Sequence, residues 1–367
     1  MNASTQAPRH LDALTGLRGI AAWMVVLYHI RLSLTGLLPG WATGAMGKGY
    51  LAVDLFFMLS GFVLWYNYAE RLRQGGKAAA ADFFWRRFAR IWPLHAVIMA
   101  IFMVYALTLT LRGSDITLFP WGQLPLHLAL VQNWGMTTRL TWNHPAWSIS
   151  TELAAYLAFP FFIAALRWER LRVAALTAVC GTLLGSVTLL FAWHGYDNLG
   201  SDITWLGLWR CLLEFATGCL LCMLWGHWRN LTLAPRVAAL VCGASLIAGW
   251  QLHLAETAVV PIAFASGLMA LALSRNFITR SLGKGLLLYL GEISYSTYLA
   301  HFLLFILFKQ LFLDAGLQMG WPGLAGFLAL VLAASIALYH LVEKPAQRWL
   351  NRHPPHRSSA PRPVTGC

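Results

Sequence analysis

The stretch LTGLRGIAAWMVVLYHIRLSL, residues 14–34, decides the fold class because it is long and apolar enough to cross a lipid bilayer. A helix that spans the hydrocarbon core needs about 20 mostly apolar residues. Residues 1–13 are polar and contain no short apolar core followed by a cleavage site. The sequence therefore predicts a retained membrane anchor and no removable signal peptide.

Similar apolar segments follow along the whole chain. Of its 367 residues, 58% are hydrophobic and only 11% are charged, whereas soluble domains have about 25% charged residues. A stretch at 121–134 is too short to cross and is predicted to be interfacial or re-entrant. We predict an all-α polytopic bundle of about ten transmembrane helices, at 14–34, 50–68, 91–111, 147–166, 173–193, 203–225, 236–253, 257–273, 286–312 and 322–342.

Lys and Arg residues predict the orientation of these helices. They are abundant in alternate connections and in the C-terminal tail, and sparse in the other connections. Because cytoplasmic loops are enriched in Lys and Arg, both termini are expected in the cytoplasm. The expected organisation is a cytoplasmic segment at 1–13, one membrane domain at 14–345 and a basic, disordered cytoplasmic tail at 346–367.

The net charge is +13, and the basic residues that produce it lie between the apolar runs. It therefore indicates topology signals and contact with membrane lipids or an anionic ligand, and no nucleic acid partner is expected. Cys219 and Cys222 form a C-x-x-C pair, but no second pair completes a zinc site, so no metal is expected. Packing between helices accounts for these cysteines better.

Two ionisable residues of the first span suggest a site, since such groups are expensive inside a bilayer. Arg18 and His29 are eleven residues apart, so both point to one helical face, about 16 Å apart along the axis. A cation and a titratable base would then follow one polar track. Alternatively, Arg18 is a topology charge that snorkels and His29 bonds a backbone carbonyl.

Arg87 and Arg90 are three residues apart at the start of the third span, on one helical face. Two guanidinium groups at this spacing suit phosphate groups, although ordinary positive-inside charge explains basic residues here equally well.

Glu152 lies about one and a half turns inside the fourth span, at a depth that lets it approach and orient His29. Alternatively, Ser148, Ser150 and Glu152 serve the start of that helix, or Glu152 pairs with Arg139.

Other spans also carry polar residues. Tyr298 and His301 lie three apart near the middle of the ninth span, and with Ser148 they form a possible additional site. Arg210 and Glu214, at i and i+4, are expected to neutralise each other.

Two further features are interpreted structurally. Ser60 lacks the framing of a nucleophile elbow, and the Ser60-Gly61 pair predicts a close helix approach. Pro345 is expected to end the last span.

Six of these pieces, in this order, resemble acyltransferase family 3, the polytopic enzymes that O-acylate bacterial surface polysaccharides, lipopolysaccharide and some small molecules. The form without an extra soluble esterase-like domain matches best. The pieces are LDALTGLRGIAA at 11–22 with His29, FFMLSGF at 56–62, FWRRFARIWP at 84–93, WSISTE at 147–152, ISYSTYLAH at 293–301 and VEKP at 342–345.

The resemblance implies a multi-pass enzyme of the bacterial cytoplasmic (inner) membrane, with acetyl-CoA or another acyl-CoA as co-substrate and no permanently bound cofactor. It implies that Arg18 and His29 are essential, that Arg87 and Arg90 matter, and that Glu152 is the family's acidic position. The implied acceptor is a carbohydrate or lipid-linked glycan, as in an exopolysaccharide or lipopolysaccharide.

We hypothesise that His29 is the general base, oriented by Glu152, while Arg87 and Arg90 hold coenzyme A phosphates. Arg18 would guide the pantetheine or steady the thioester oxygen. Direct transfer is the simplest course, and an acyl-His29 intermediate stays open. The alternative function is a transporter or flippase of a glycan or small anion, since charged groups within spans also mark transport paths.

Overall fold

The computed structural model describes residues 11–165, 170–314 and 316–355, in which helices are joined by loops and no strand occurs. The predicted all-α bundle is confirmed. The helices are α1 Asp12–Ile30, α2 Gly40–Gly47, α3 Ala52–Leu111, α4 Leu124–Leu128, α5 Ala146–Ala165, α6 Val173–Trp193, α7 Ile203–Trp228, α8 Ala234–Gln251, α9 Glu256–Leu273, α10 Phe277–Leu282, α11 Gly285–Glu292, α12 Ser294–Phe312, α13 Trp321–Leu338 and α14 Lys344–Arg352.

Eight segments of the described chain are long and apolar enough to cross a membrane. One of them contains α3, whose 60 residues would extend about 90 Å if straight, three times the hydrocarbon thickness. α3 instead folds back at Gly76, where φ is 51°, and the rings of Tyr68 and Phe83 meet with centroids 5.2 Å apart. α3 is therefore a hairpin that supplies the second and third predicted spans.

α8 falls short of the hydropathy needed for a membrane span, and it packs along α9. With the α3 hairpin counted as two crossings, α8 occupies the seventh of the ten predicted positions. The ninth predicted span is divided at Ile293 into α11 and α12. At this break, the Ser294 hydroxyl donates to the carbonyl oxygen of Gly291.

The end of the last span differs from the prediction. A π-helical turn, Tyr339–Glu343, follows α13, and α14 then begins with Pro345 in its first turn. Pro345 therefore starts a helix instead of ending one, because proline is tolerated in the first turn, where its missing N–H has no intrahelical partner. The part of the predicted disordered tail at 346–352 is helical, and 356–367 lies outside the described residues.

Two glycines bring α3 and α7 into close contact. A methyl group on Gly61 would lie 2.0 Å from the carbonyl oxygen of Phe215, and one on Gly218 would lie 2.0 Å from that of Met58. Small residues allow membrane helices to approach closely. The close approach predicted at Ser60-Gly61 is confirmed.

The expected Arg210–Glu214 neutralisation is wrong. Arg210 donates from Nε and Nη2 to the two carboxylate oxygens of Asp54, at 2.6 and 2.5 Å, and from Nη1 to the Leu199 carbonyl oxygen at 2.6 Å. A bidentate carboxylate on another helix uses the planar guanidinium more completely than a residue one turn away. Glu214 is fully buried close to this pair.

The stretch at 121–134 contains α4, which has only five residues. The carbonyl oxygens of His127 and Leu128 accept hydrogen bonds from His95, at 2.8 Å, and Trp92, at 3.2 Å, within the second half of α3. The His95 contact is buried and the Trp92 contact lies at the surface, so the segment packs against the first turns of the third predicted span.

Candidate active site

A cavity of about 190 Å³ lies among α1, α3, α5 and α12, and we call it the arginine cavity. Many of the residues singled out from the sequence meet here, although they come from four separate helices. Its polar lining includes Arg18, Ser60, Arg87, Arg90, Ser148, Glu152, Tyr156, Tyr295 and Tyr298.

Arg18 is positioned by the break between α11 and α12. Its Nη2 donates to the carbonyl oxygen of Gly291 at 3.2 Å, while its Nε has no protein partner among the described residues. α1 approaches the break closely, since a methyl group on Gly291 would lie 1.9 Å from the Thr15 carbonyl oxygen. The guanidinium of Arg18 therefore keeps donors available for a ligand.

Arg87 and Arg90 share a face of α3, as predicted, but their partners differ. Arg90 forms an ion pair with Glu343, whose other oxygen accepts from the Ser296 hydroxyl at 2.6 Å. Arg87 donates to the Tyr68 hydroxyl at 3.2 Å, and its described contacts include no carboxylate. Arg87 and Arg18 thus leave the cavity with positive charge available to an anion.

A second cavity, of about 250 Å³, lies at the other end of α1, and we call it the histidine cavity. It is formed by the C-terminal end of α1, the start of α3 and the loops before α5 and α7. Its lining includes Tyr28, His29, Arg31, Tyr50, His144, Trp147, Arg210 and Tyr298.

His29 and His301 form a pair whose tautomers follow from their carbonyl neighbours. Nδ1 of His301 lies 2.6 Å from the Tyr298 carbonyl oxygen, so it must donate, and Nε2 of the neutral ring is an acceptor. This Nε2 lies 3.2 Å from Nδ1 of His29, which also lies 2.9 Å from the Val25 carbonyl oxygen. Nδ1 of His29 therefore carries its proton, and Nε2 keeps a free lone pair.

Glu152 does not take the orienting position that we predicted. It lines the arginine cavity, where it accepts a hydrogen bond from the Tyr156 hydroxyl at 2.6 Å. The contact with His29 is made by His301 from α12 instead. The alternative pairing of Glu152 with Arg139 is not formed either among the described ion pairs.

Tyr298 lines both cavities. Its hydroxyl lies 2.8 Å from the Ser148 hydroxyl and donates to the Pro145 carbonyl oxygen at 3.1 Å, while its ring contacts that of Phe56 edge-on. Two of the three predicted additional residues, Ser148 and Tyr298, therefore lie where the arginine and histidine cavities meet.

Comparison with known sequences shows which family of proteins the chain resembles. The profile of the acyltransferase domain that defines acyltransferase family 3 matches residues 11–340. The chain belongs to acyltransferase family 3. Acyltransferase MdmB of Streptomyces mycarofaciens is 31% identical to this family member, over 97% of the chain and 96% of the relative.

Peptidoglycan O-acetyltransferase OatA of Listeria monocytogenes serovar 1/2a is 24% identical over 80% of this acyltransferase, which spans 49% of that relative. No solved structure matches the chain. The family and the relatives' names make the chain an O-acyltransferase of the multi-pass membrane type, so the transporter alternative is set aside.

Sequence reasoning missed Glu343 and His144 in this acyltransferase. Glu343 enters the sequence argument only within the piece VEKP at 342–345, although a carboxylate beside an apolar span is itself a signal. His144 lies in the loop before α5, where that signal is absent. Burial lowers its pKa to about 4, because desolvation disfavours the charged ring, so His144 presents a neutral imidazole to the histidine cavity.

Proposed function

We propose that this acyltransferase moves an acetyl group from acetyl-CoA to a sugar hydroxyl of an exopolysaccharide, a lipopolysaccharide or a lipid-linked precursor. The observation that supports this most is the pair of cavities at opposite ends of α1. One contains two arginines, Arg18 and Arg87, that form no ion pair among the described residues; the other contains a histidine with a free lone pair, and Tyr298 lines both.

The donor site is assigned to the arginine cavity. Coenzyme A carries several phosphate oxygens, and guanidinium groups bind phosphate through paired, charge-assisted hydrogen bonds. Arg87 supplies charge without a carboxylate partner, and Arg90 is held in place by Glu343. The excess of Lys and Arg in alternate connections supports an orientation in which this cavity faces the cytoplasm of a bacterial inner membrane, where acyl-CoA is found.

The acceptor hydroxyl is assigned to the histidine cavity. Nε2 of His29 takes the hydroxyl proton as the hydroxyl oxygen attacks the thioester carbonyl carbon. The C–S bond then breaks, the sulfur leaves with the electron pair, and the proton passes from Nε2 to the sulfur. The products are the sugar ester and coenzyme A with a free thiol, and no covalent intermediate on the protein is needed.

Arg18 is assigned to donor binding and not to the thioester oxygen. It lies about 16 Å from His29 along the axis of α1, too far for both to act on one carbonyl group. The Tyr298 hydroxyl lies at the junction, and it would donate to the developing oxyanion by turning its single proton away from the Pro145 carbonyl, which keeps the hydrogen bond from Ser148. The pantetheine amides of the donor would instead pass Arg18.

The acetyl group and the glycan acceptor are supported by the relatives. Matched proteins include relatives named as peptidoglycan O-acetyltransferases. We take from them the acetyl group and a glycan acceptor, and not peptidoglycan itself. The histidine cavity adds aromatic side chains, Tyr28, Tyr50 and Trp147, which offer flat apolar faces beside polar groups. Such a lining suits a sugar ring with both apolar and hydroxyl faces.

The test combines a cell experiment with a purified one. Deleting the gene should remove acetyl signals from the NMR spectrum of the surface polysaccharide, and wild type or His194→Ala, but not His29→Ala, should restore them. His194 is an exposed histidine outside both cavities, so it is a matched control.

The purified enzyme should release free thiol from acetyl-CoA when given base-deacetylated surface polysaccharide from the host. A folded His29→Ala variant with normal turnover would overturn the assignment of the base. Thiol release that does not depend on glycan would overturn the assignment of the acceptor.

A further inference from the structure

Arg31 lies in the 3-10 turn that follows α1 and lines the histidine cavity, two residues after His29. Its guanidinium covers the Tyr28 ring, with Cζ 4.0 Å from the ring centroid, and one Nη donates to the Tyr28 carbonyl oxygen. Within the described chain it forms no ion pair. Most of its five N–H donors are therefore free for a ligand.

The other arginine of this cavity, Arg210, is by contrast hydrogen-bonded at every nitrogen. All three nitrogens of Arg210 donate to protein oxygens, and Asp54 neutralises its charge. No carboxylate lines the histidine cavity in the described part of the chain. Glu256, which lies nearby, is already paired with Lys48 and bonded to Tyr50. The cavity therefore carries a net positive charge from Arg31.

Membrane topology does not explain this charge. The positive-inside rule concentrates Lys and Arg in cytoplasmic connections, and Arg31 lies at the opposite end of α1 from Arg18. A partly buried cation on the sparse side requires another reason, and a ligand of opposite charge provides one.

We propose that the acceptor is anionic, with a carboxylate or phosphate group bound by Arg31 while a neighbouring hydroxyl reaches Nε2 of His29. This inference rests on the proposed function and names its substrate class. The Arg31 guanidinium lies on the Tyr28 ring, whose centroid is 5.0 Å from that of His29. Because only the Tyr28 ring separates the guanidinium from the His29 ring, the anion and the reacting hydroxyl would belong to the same or to adjacent sugar residues.

The test uses three probes as acceptors with acetyl-CoA: phenyl β-D-glucuronide, glucose 1-phosphate and neutral phenyl β-D-glucoside. Ester formation is measured by mass spectrometry for wild type, Arg31→Gln and the control Arg112→Gln. Arg112 is an exposed cation that caps the C-terminus of α3, at the same end of the bundle, outside the cavity. A better carboxylate probe indicates an acidic glycan, and a better phosphate probe indicates a phosphate-linked precursor.

Wild type should favour an anionic probe at least about tenfold over the glucoside, which corresponds to about 1.4 kcal/mol. Arg31→Gln should remove that preference by raising KM, with kcat little changed, while Arg112→Gln retains it. Equal use of all three probes, or an equal loss for all three in Arg31→Gln, would overturn the proposal and leave the proposed function standing.

If no probe is acetylated and no thiol is released, the proposed function fails in this assay. The anion site is then judged by probe binding to purified protein. Binding of an anionic probe that is no tighter than that of the glucoside, or that survives in Arg31→Gln, would also overturn the anion site.

Discussion

Replacing His301 tests how His29 is held. In wild type, Nδ1 of His29 has two acceptors, Nε2 of His301 at 3.2 Å and the Val25 carbonyl oxygen at 2.9 Å. His301→Phe removes the first and leaves the second. The proton should therefore stay on Nδ1, and the free lone pair should stay on Nε2.

The expected loss of kcat/KM follows from the removal of one of the two hydrogen-bond acceptors of His29. One neutral hydrogen bond contributes about 0.5–1.5 kcal/mol, so kcat/KM should fall about 2- to 12-fold in His301→Phe. Removing the base itself, in His29→Ala, should lower the rate by about 10²- to 10⁴-fold. His301→Gln, whose amide oxygen can accept from Nδ1, should recover part of the loss.

The assay follows glycan-dependent thiol release with the purified variants, at saturating acetyl-CoA and varied glycan. Thermal unfolding in the same detergent controls for folding, because His301 is fully buried. A folded His301→Phe variant as inactive as His29→Ala would refute the positioning role, since the remaining carbonyl would then be insufficient or His301 would act directly. An unchanged rate would also refute the positioning role, since the Val25 carbonyl alone would then hold His29 in place.

Three further changes have expected outcomes. Glu343→Gln should raise the KM for acetyl-CoA and lower the melting temperature, because Arg90 loses its buried counter-ion; unchanged donor affinity would show that the pair only stabilises the fold. Gly61→Ala should reduce the folded yield in size-exclusion chromatography, since its methyl would clash with a carbonyl of α7, whereas Gly226→Ala, with open space around it, should behave as wild type. Asp54→Ala should destabilise the fold by about 3–5 kcal/mol by leaving the arginine of α7 buried without its partner, and a normal melting temperature would contradict this.

The all-helical fold could be predicted from the sequence because a membrane permits few kinds of backbone structure. Apolar length identifies spans, and the bilayer requires backbone groups to be satisfied within helices. The exceptions are local. The break at Ile293 depends on contacts with a neighbouring helix, such as the close approach of Thr15 to Gly291, which no local pattern contains. Pro345 is compatible both with the end of one helix and with the first turn of the next.

The sequence predicts which site residues share a face of one helix, but it predicts contacts between helices less well. The spacing of Arg87 and Arg90 determines that they share a face, and the structure agrees. Depth alone suggested that Glu152 meets His29, but depth does not determine which way a side chain points around its helix. The same ambiguity hid Asp54 as the partner of Arg210, which lies 156 positions away along the chain.

Apart from Tyr298, the two cavities are lined by different residues, and this has a consequence for how such a protein can diversify. The arginine cavity is built from helix interiors, whereas much of the histidine cavity comes from the loops around Leu140–Pro145 and Gly200. Loops tolerate substitution and insertion better than packed helices. If the cavities bind acceptor and donor as proposed, exchanging only those loops should alter what is modified while the helices that bind the acyl donor stay intact.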